Sequence, residues 1–435
     1  MTDPSAEVHF FETTLGEHML AVDGSRVFDV PDGTADHFAR MTAERQREFL
    51  SQMGLDGVPF IDDAPPRRMP VRSLSLAVAQ KCNLACTYCY ASQGSFGGPA
   101  RSMEWEVAKA SVDRLIMDAE PGTRINLAFL GGEPLINRGL IRDATVYAAE
   151  QAQRNKVDVG FSITTNGTLL RPEDAEFFED HAFAVTISLD GVGKAHDRLR
   201  PNQGGRGSYD TILRKVQPLL DKQHRMQVGA RVTVTPRNLE LPETLNHFIG
   251  LGFHSVGFAP MLASPTGREE MSSKDMAEML SQMIRCGRVF EDAVLQGRRF
   301  PFSNMAAAMH EIHRGTHRPY ACGAGGGYFG VSADGDLFAC HRFVEDDVAA
   351  MGNVHDGPDA RRETWLAERH VHNQSPCNTC WARYMCGGGC HHEVIHRGRP
   401  ACDYIRGWLD YSLQAYVRLS AARPDFFGDA ARRSA

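Results

Sequence analysis

Eleven cysteines stand in this chain of 435 residues, and they are not scattered. Three fall in AQKCNLACTYCYASQG (Ala79–Gly94), in the frame Cys82-x3-Cys86-x2-Cys89. Seven more lie in the last third: Cys322, Cys340, Cys377, Cys380, Cys386, Cys390 and Cys402. The last, Cys286, sits in the helically patterned SKDMAEMLSQMIRCGRVFED and reads as a small core side chain. Thiolates at close spacing suit zinc or iron–sulfur clusters. Zinc at the first group would want a fourth Cys or His nearby. His9 and His18 are far away in sequence, and the next histidine after Cys89 is His181. A 4Fe–4S cluster on three thiolates would instead leave one iron free for a further ligand, much as a catalytic zinc site keeps one position open.

The rest of the composition narrows the setting. A net charge of −7 gives no electrostatic case for nucleic acid. The start, MTDPSAEVHF, has neither the basic nor the apolar region of a signal peptide, and no apolar run is long enough to span a bilayer. A cytoplasmic protein is expected, and in a reducing compartment the cysteines read as metal or redox ligands rather than disulfides.

The elements that must position these residues follow from pattern. HMLAVDGSRVFDV (His18–Val30) is a hairpin signal around Asp23-Gly24, with a helix expected at Ala35–Met53. The Pro-rich Ile61–Pro70 reads as a linker, and so does the basic cluster Pro65–Arg72. Strands are then expected at Ser73–Ala79, Ile125–Leu130, Val157–Thr165, Phe183–Ser188, Met226–Val234 and His254–Pro260. Helices are expected at Met103–Asp118, Ile141–Arg154, Pro172–Asp180, Ser208–Lys222 and Leu241–Leu251. Strand and helix alternating six times imply an α/β fold with a parallel sheet, a partial (β/α)6 barrel of the TIM type. Ligands of such a sheet sit beyond the carboxyl ends of its strands. Just there lie the three cysteines, GGEP (Gly131–Pro134), TTNG (Thr164–Gly167) and SLDG (Ser188–Gly191). The unusual residues share one rim.

The cysteine frame with Tyr88, followed by GGEP, resembles the radical S-adenosylmethionine enzymes. The resemblance implies that the amino and carboxylate groups of S-adenosylmethionine chelate the free iron, and that a 5′-deoxyadenosyl radical is made there. It further implies Gly132 and Glu133 at the amino group, Ser188 and Arg200 at the carboxylate, Asp190 at the ribose, and Tyr88 and Met261 at the adenine side. Asn166 lies in the matching TNG segment.

The later cysteines, with Gly335 in Cys322-x12-Gly335-x4-Cys340, resemble the SPASM extension of these enzymes. That implies two auxiliary 4Fe–4S clusters and three in all. Cys377, Cys380, Cys386 and Cys402 are assigned to the distal one, and Cys322, Cys340 and Cys390 to the nearer. The nearer set lacks a fourth cysteine, so its last iron is either open or closed by another side chain; His341, His391 and His392 are neighbours in sequence. The implied domains are an N-terminal α+β module at 1–70, a radical core at 71–314 and a SPASM domain at 315–435.

Among such enzymes, CHRF (Cys340–Phe343) and CWARYMCGGGC (Cys380–Cys390) resemble maturases of ribosomally made peptides and of quinohemoproteins. The expected reaction is therefore an intramolecular crosslink, a thioether ahead of a carbon–carbon bond. The expected partners are a peptide or protein substrate with its leader and a flavodoxin- or ferredoxin-like electron donor. Two alternatives stand beside it. One is an anaerobic sulfatase maturase, which turns Cys or Ser into formylglycine. Three features speak against it: His341 where those enzymes carry an acid, the missing cysteine, and a radical motif far from the N-terminus. The other is a non-catalytic iron–sulfur electron carrier, which would have no use for GGEP, Ser188 or Arg200.

Overall fold

A computed structural model describes residues 4–57, 59–61 and 69–433 of the chain. Most of the linker read at Ile61–Pro70 lies outside the described residues. The chain folds into two compact units that alternate along it. One holds Met1–Pro65, Met276–Cys322 and Ala367–Ala435, and the other Pro66–Asp275 and Gly323–Leu366.

The first unit begins with a three-stranded antiparallel sheet, β1 (Val8–Thr13), β2 (Gly16–Ala21) and β3 (Arg26–Val30). The hairpin expected at His18–Val30 is β2–β3. Strand β1 lay outside that expectation. The helix expected at Ala35–Met53 is two helices, Thr34–Arg40 and Ala43–Gln52. Thr42 divides them, since its side chain accepts a hydrogen bond from Arg45 N and starts the second. Val8, Met19, Phe38 and Leu50 form the core of this module. The long C-terminal helix Cys402–Ala422 packs on β1 and on the helix Ser303–His313.

The second unit is the parallel α/β body. Strands β4 (Ser73–Ala79), β5 (Arg124–Gly131), β6 (Asp158–Thr165), β7 (Ala184–Ser188), β8 (Gln227–Val234) and β9 (Ser255–Pro260) lie side by side in chain order, all parallel. Helices Trp105–Met117, Arg138–Asn155, Pro172–Asp180, Tyr209–Lys222 and Leu241–Gly250 alternate with them. The helix Pro172–Asp180 starts and stops where expected. Proline opens it, and the Asp174 carboxylate accepts from Arg171 N at 3.0 Å.

One feature was not legible from pattern. Four short strands, β10 (Tyr328–Val331), β11 (Asp336–Phe338), β12 (Ala350–Asn353) and β13 (Gly357–Pro358), continue the sheet past β4. β10 lies parallel to β4, with Tyr328 opposite Ser73 and Val331 opposite Leu76. The segment carrying Cys340 thus belongs to the same ten-stranded sheet as the three-cysteine loop.

Candidate active site

The loop after β4 carries Cys82, Cys86 and Cys89. Each strand end beside it contributes backbone or side-chain atoms. The end of β5 comes very close: Gly132 N donates to Ala79 O at 2.8 Å and Glu133 N to Lys81 O at 3.0 Å. A Cβ on Gly132 would stand 2.4 Å from Lys81 O and 2.6 Å from Gly94 Cα, so only glycine fits.

Glu133 is wholly buried. Its carboxylate accepts from Thr165 Oγ1 (2.7 Å), Asn166 N (2.8 Å) and Leu135 N (3.0 Å). Burial raises its pKa while these donors oppose the shift. Its carboxylate therefore braces the tips of β5 and β6 together. Asn166 extends the brace to the cysteine loop. Its Nδ2 donates to Asn83 Oδ1 at 3.0 Å and lies 3.7 Å from Cys82 Sγ.

Cys82 and Cys86 both feel the charge of Cys89, which raises their pKa. Burial is the largest cause and pushes Cys86 to about 12. Cys82 is also raised, mainly by burial. Arg200 opposes both shifts, favouring the thiolates that iron requires. Backbone donors help: Leu84 N lies 3.4 Å from Cys82 Sγ, and Gln93 N lies 3.3 Å from Cys89 Sγ.

Past β7 the geometry is tighter. Asp190 is fully buried and bonded to the Tyr88 hydroxyl. Arg200 Nη1 donates to Tyr88 Oη at 2.6 Å and to Asp190 Oδ2 at 3.3 Å. Thr233 N donates to Asp190 Oδ1 at 2.8 Å, which ties in β8. Tyr88, Leu199 and Met261 form one small apolar cluster beside this group. Ser188 ends β7 opposite Arg231 of β8. The structure thus gathers Tyr88, Asp190, Arg200 and Met261 at one point and Gly132, Glu133, Asn166 and Cys82 at another, all on one rim.

Two buried polar atoms here have no partner among the described residues: Arg200 Nε and Thr87 Oγ1. A buried N–H without an acceptor is costly. A carboxylate is the group that a guanidinium edge binds best. Three thiols on one loop, a glycine cradle and this unpaired edge supply the donor chemistry for an iron–sulfur cluster with an amino-acid ligand on it.

Beside Cys89, within the same unit, lies a second polar group that pattern reading did not single out as a whole. Tyr90 feels the charges of both Cys89 and Cys340. The Arg342 guanidinium lies over its ring at 5.4 Å, and the His341 ring lies edge-on at 6.1 Å. His341 Nδ1 is 2.6 Å from Tyr328 Oη, whose own proton goes to Ser75 Oγ at 3.0 Å. Tyr328 thus links His341 Nδ1 to Ser75 and leaves Nε2 as the ring nitrogen not engaged by it. Burial, then Arg342, lowers the His341 pKa to about 4 and keeps the ring neutral.

In the other unit, Cys377, Cys380, Cys386 and Cys402 raise or feel one another's charge in the same way. Gly388 and Gly389 donate backbone N–H bonds to Cys386. Cys377, Cys380 and Cys402 line one cleft with Trp381 and Arg406. The N-terminal module closes this region. Trp381 stacks on His9 at 3.7 Å, His9 pairs with Asp410 at 2.7 Å, and Val22 shares a core with Cys377. Arg383 donates to Ala6 O (2.8 Å), to Cys380 O (3.2 Å) and to the Glu7 carboxylate. Of the third cysteine set, Cys340 belongs to one unit and Cys322 and Cys390 to the other.

The Radical SAM superfamily model matches residues 76–259. The chain is 26% identical over 394 residues to a serine-type anaerobic sulfatase-maturating enzyme of Klebsiella aerogenes, covering 85% of this chain and 93% of that protein. It is 24% identical over 369 residues to a cysteine-type enzyme of Clostridium perfringens, covering 80% and 95%. Among solved structures, anSMEcpe with bound AdoMet superposes with a TM-score of 0.67 at 19% identity, over 80% of this chain and 99% of that one. SuiB of Streptococcus suis, bound to S-adenosylmethionine, gives 0.55 at 14%, over 91% and 96%. These relatives correct the expected reaction. Sulfatase-maturating enzymes match along nearly their whole length, so the crosslinking reading gives way to the formylglycine alternative. The three features held against that alternative are local, whereas the similarity is not. Residues 76–259 thus match a radical SAM domain, and the chain is an oxidoreductase that works with S-adenosylmethionine and 4Fe–4S clusters.

Proposed function

We propose that this chain is a peptide-modifying enzyme of the anaerobic sulfatase-maturating type, oxidising the Cβ of a Cys or Ser in a polypeptide to the aldehyde of formylglycine. The observation that carries the reading is the match to serine- and cysteine-type maturases over most of both chains. Solved structures of anSMEcpe carry bound peptides, which supports a peptide as substrate.

The bound cofactors would supply removal of a hydrogen atom from carbon and an acceptor for the second electron. Cys82, Cys86 and Cys89 would hold the first of three clusters. Gly132, through its backbone, Arg200, through Nε, and Ser188 would hold the amino and carboxylate groups of S-adenosylmethionine, with Tyr88, Asp190 and Met261 behind them. Cys377, Cys380, Cys386 and Cys402 would hold the distal cluster, and Cys322, Cys340 and Cys390 the remaining one. A flavodoxin- or ferredoxin-like protein is the proposed source of the starting electron.

This chain's own part in the chemistry is the substrate proton. Oxidation of a Cβ–OH group releases one proton besides the hydrogen atom and the electron and gives the aldehyde; the same oxidation of a Cβ–SH group gives a thioaldehyde, which water converts to the aldehyde with release of hydrogen sulfide. We assign this proton to His341, which follows Cys340 directly and whose other ring nitrogen lies 2.6 Å from Tyr328 Oη. His341 thus does the work of the acid that the sequence pattern lacks. The test is anaerobic incubation of reconstituted enzyme, reductant and S-adenosylmethionine with peptides bearing Cys or Ser in a sulfatase-type sequence. An aldehyde captured by a hydrazine supports the reading; 5′-deoxyadenosine without aldehyde from either peptide removes it.

A further inference from the structure

His196 lies in HDRLRP, where sequence reading singled out only Arg200. It is fully buried. Its bonds are directional. Asp190 N is an N–H and can only donate, and it lies 3.1 Å from His196 Nδ1. Nδ1 must therefore carry the lone pair, and the ring proton sits on Nε2. Nε2 lies 3.0 Å from Ser208 Oγ, and Ser208 Oγ donates to Arg200 O at 2.6 Å. Each donor in this chain meets one acceptor: Asp190 N–H to imidazole, imidazole N–H to Ser208, Ser208 O–H to the Arg200 carbonyl. Reversing any link would set two donors face to face. Arg200 N also donates back to His196 O at 2.9 Å, closing the turn. Burial, then the Arg200 charge, lowers the His196 pKa to about 3, in keeping with a neutral ring.

The neighbours fix the same segment. Asp197 Oδ1 accepts from Ser208 N (2.8 Å) and Tyr209 N (2.9 Å), which starts the helix Tyr209–Lys222. Leu199 packs with Tyr88 and Met261. Asn238 Nδ2 donates to Asp190 O at 3.0 Å. The backbones of Asp190 and Arg200 are thus held to one another through a single imidazole, while their side chains meet at Tyr88.

We propose that His196, as its neutral Nε2–H tautomer, is a positioning residue for S-adenosylmethionine. It locks the Asp190 backbone to that of Arg200, so that the free Nε edge of Arg200 is aimed before the cosubstrate arrives. The inference rests on the reading of Arg200 as a carboxylate ligand. An edge that must be ordered at binding costs affinity that a pre-set edge does not.

The test is binding of S-adenosylmethionine to anaerobically reconstituted enzyme, with iron content and melting temperature measured alongside. His196→Phe fills the space but breaks both links, and Ser208→Ala breaks only the link to Arg200. Both should weaken binding roughly five- to a hundred-fold with iron content unchanged, the range expected for a buried hydrogen bond left half-made. His196→Asn keeps an acceptor for Asp190 N–H and should recover part of the loss. Nitrogen NMR of the imidazole should report the Nε2–H tautomer. Wild-type affinity in Ser208→Ala and His196→Asn, or an Nδ1–H tautomer, overturns the inference even if His196→Phe fails to fold. Arg200→Lys separates the two levels. If it binds normally, the carboxylate reading falls and this inference with it; if it binds weakly while the His196 and Ser208 variants bind normally, only the inference falls.

Discussion

Arg200 and Arg383 both sit beside cysteines with little exposure, yet Arg200 keeps a buried nitrogen without a partner among the described residues and Arg383 does not. Arg383 spends its guanidinium on two backbone carbonyls and a carboxylate, all of this protein. Arg200 holds Tyr88 and Asp190 with Nη1 alone and leaves Nε without an acceptor. The cysteines around them differ in the same sense. Under the proposed assignment, four thiols would serve the cluster around Cys377–Cys402, whereas the rim supplies three. A region built only to store a cofactor closes on itself; a region built to meet a second molecule keeps polar atoms in reserve.

That contrast can be broken outright. Replacing Cys82, Cys86 and Cys89 together with Ala should abolish 5′-deoxyadenosine formation and lower iron from about twelve to about eight per chain. Cys402→Ala should also cost iron but leave reductive cleavage of S-adenosylmethionine measurable. Cleavage surviving in the triple variant would reverse the assignment of the two regions.

Next in size is the proton acceptor. His341→Asn should slow aldehyde formation by roughly 10²–10⁴-fold while 5′-deoxyadenosine is still made without product. His341→Asp should restore part of the rate. Equal loss of both products in His341→Asn would show that His341 supports the cluster region rather than the substrate.

The arginine pair sharpens the comparison further. Arg200→Lys keeps charge but loses the planar fork, and should weaken S-adenosylmethionine roughly ten- to a hundred-fold with little change in melting temperature. Arg383→Lys should do the converse: about 1.5–3 kcal/mol less stability on chemical denaturation, with binding unchanged. Crossed results would mean that the saturated site is the functional one.

How much of this was readable from the chain depends on the range of the interaction. The six parallel strands were found to within about two residues, because each is a short apolar run closed by turn residues at the rim. Arg200 and the cysteines stood out by type and spacing. His196 did not, because a histidine's use shows only once both ring nitrogens have partners, and those come from Asp190 and from Ser208 on the following loop. Strand β1 and the strands β10–β13 escaped for a related reason. Which edge a short strand joins is decided by far-off residues rather than by its own pattern. The reaction was misjudged because local features (the residue after Cys340, the missing cysteine, the place of the radical motif) differ while the similarity runs over most of the chain.

The smallest expected effect is on acid stability. His196 is neutral when folded, with a pKa of about 3, and near 6.5 when unfolded. Below about pH 6.5 the unfolded chain therefore binds the extra proton, and stability falls as pH falls, by about 1.4 kcal/mol per unit at most. It is fully kept above that pH. Denaturation at pH 7.5 and 5.5 should show a smaller acid loss in His196→Asn than in wild type. An identical loss would mean that the imidazole is already charged in the fold.

The pairing of β10 with β4 has a bearing on how such a chain can change over time. Cys89 follows one of these strands and Cys340 follows the hairpin begun by the other, so backbone ladders set their separation. The long stretch between β9 and β10 plays no part in that ruler. Insertions or deletions there alter loop-closure entropy only slowly with length. The loops of that stretch that carry neither Met261 nor Cys322 can therefore vary in length to suit new polypeptides while the spacing between Cys89 and Cys340 stays constant.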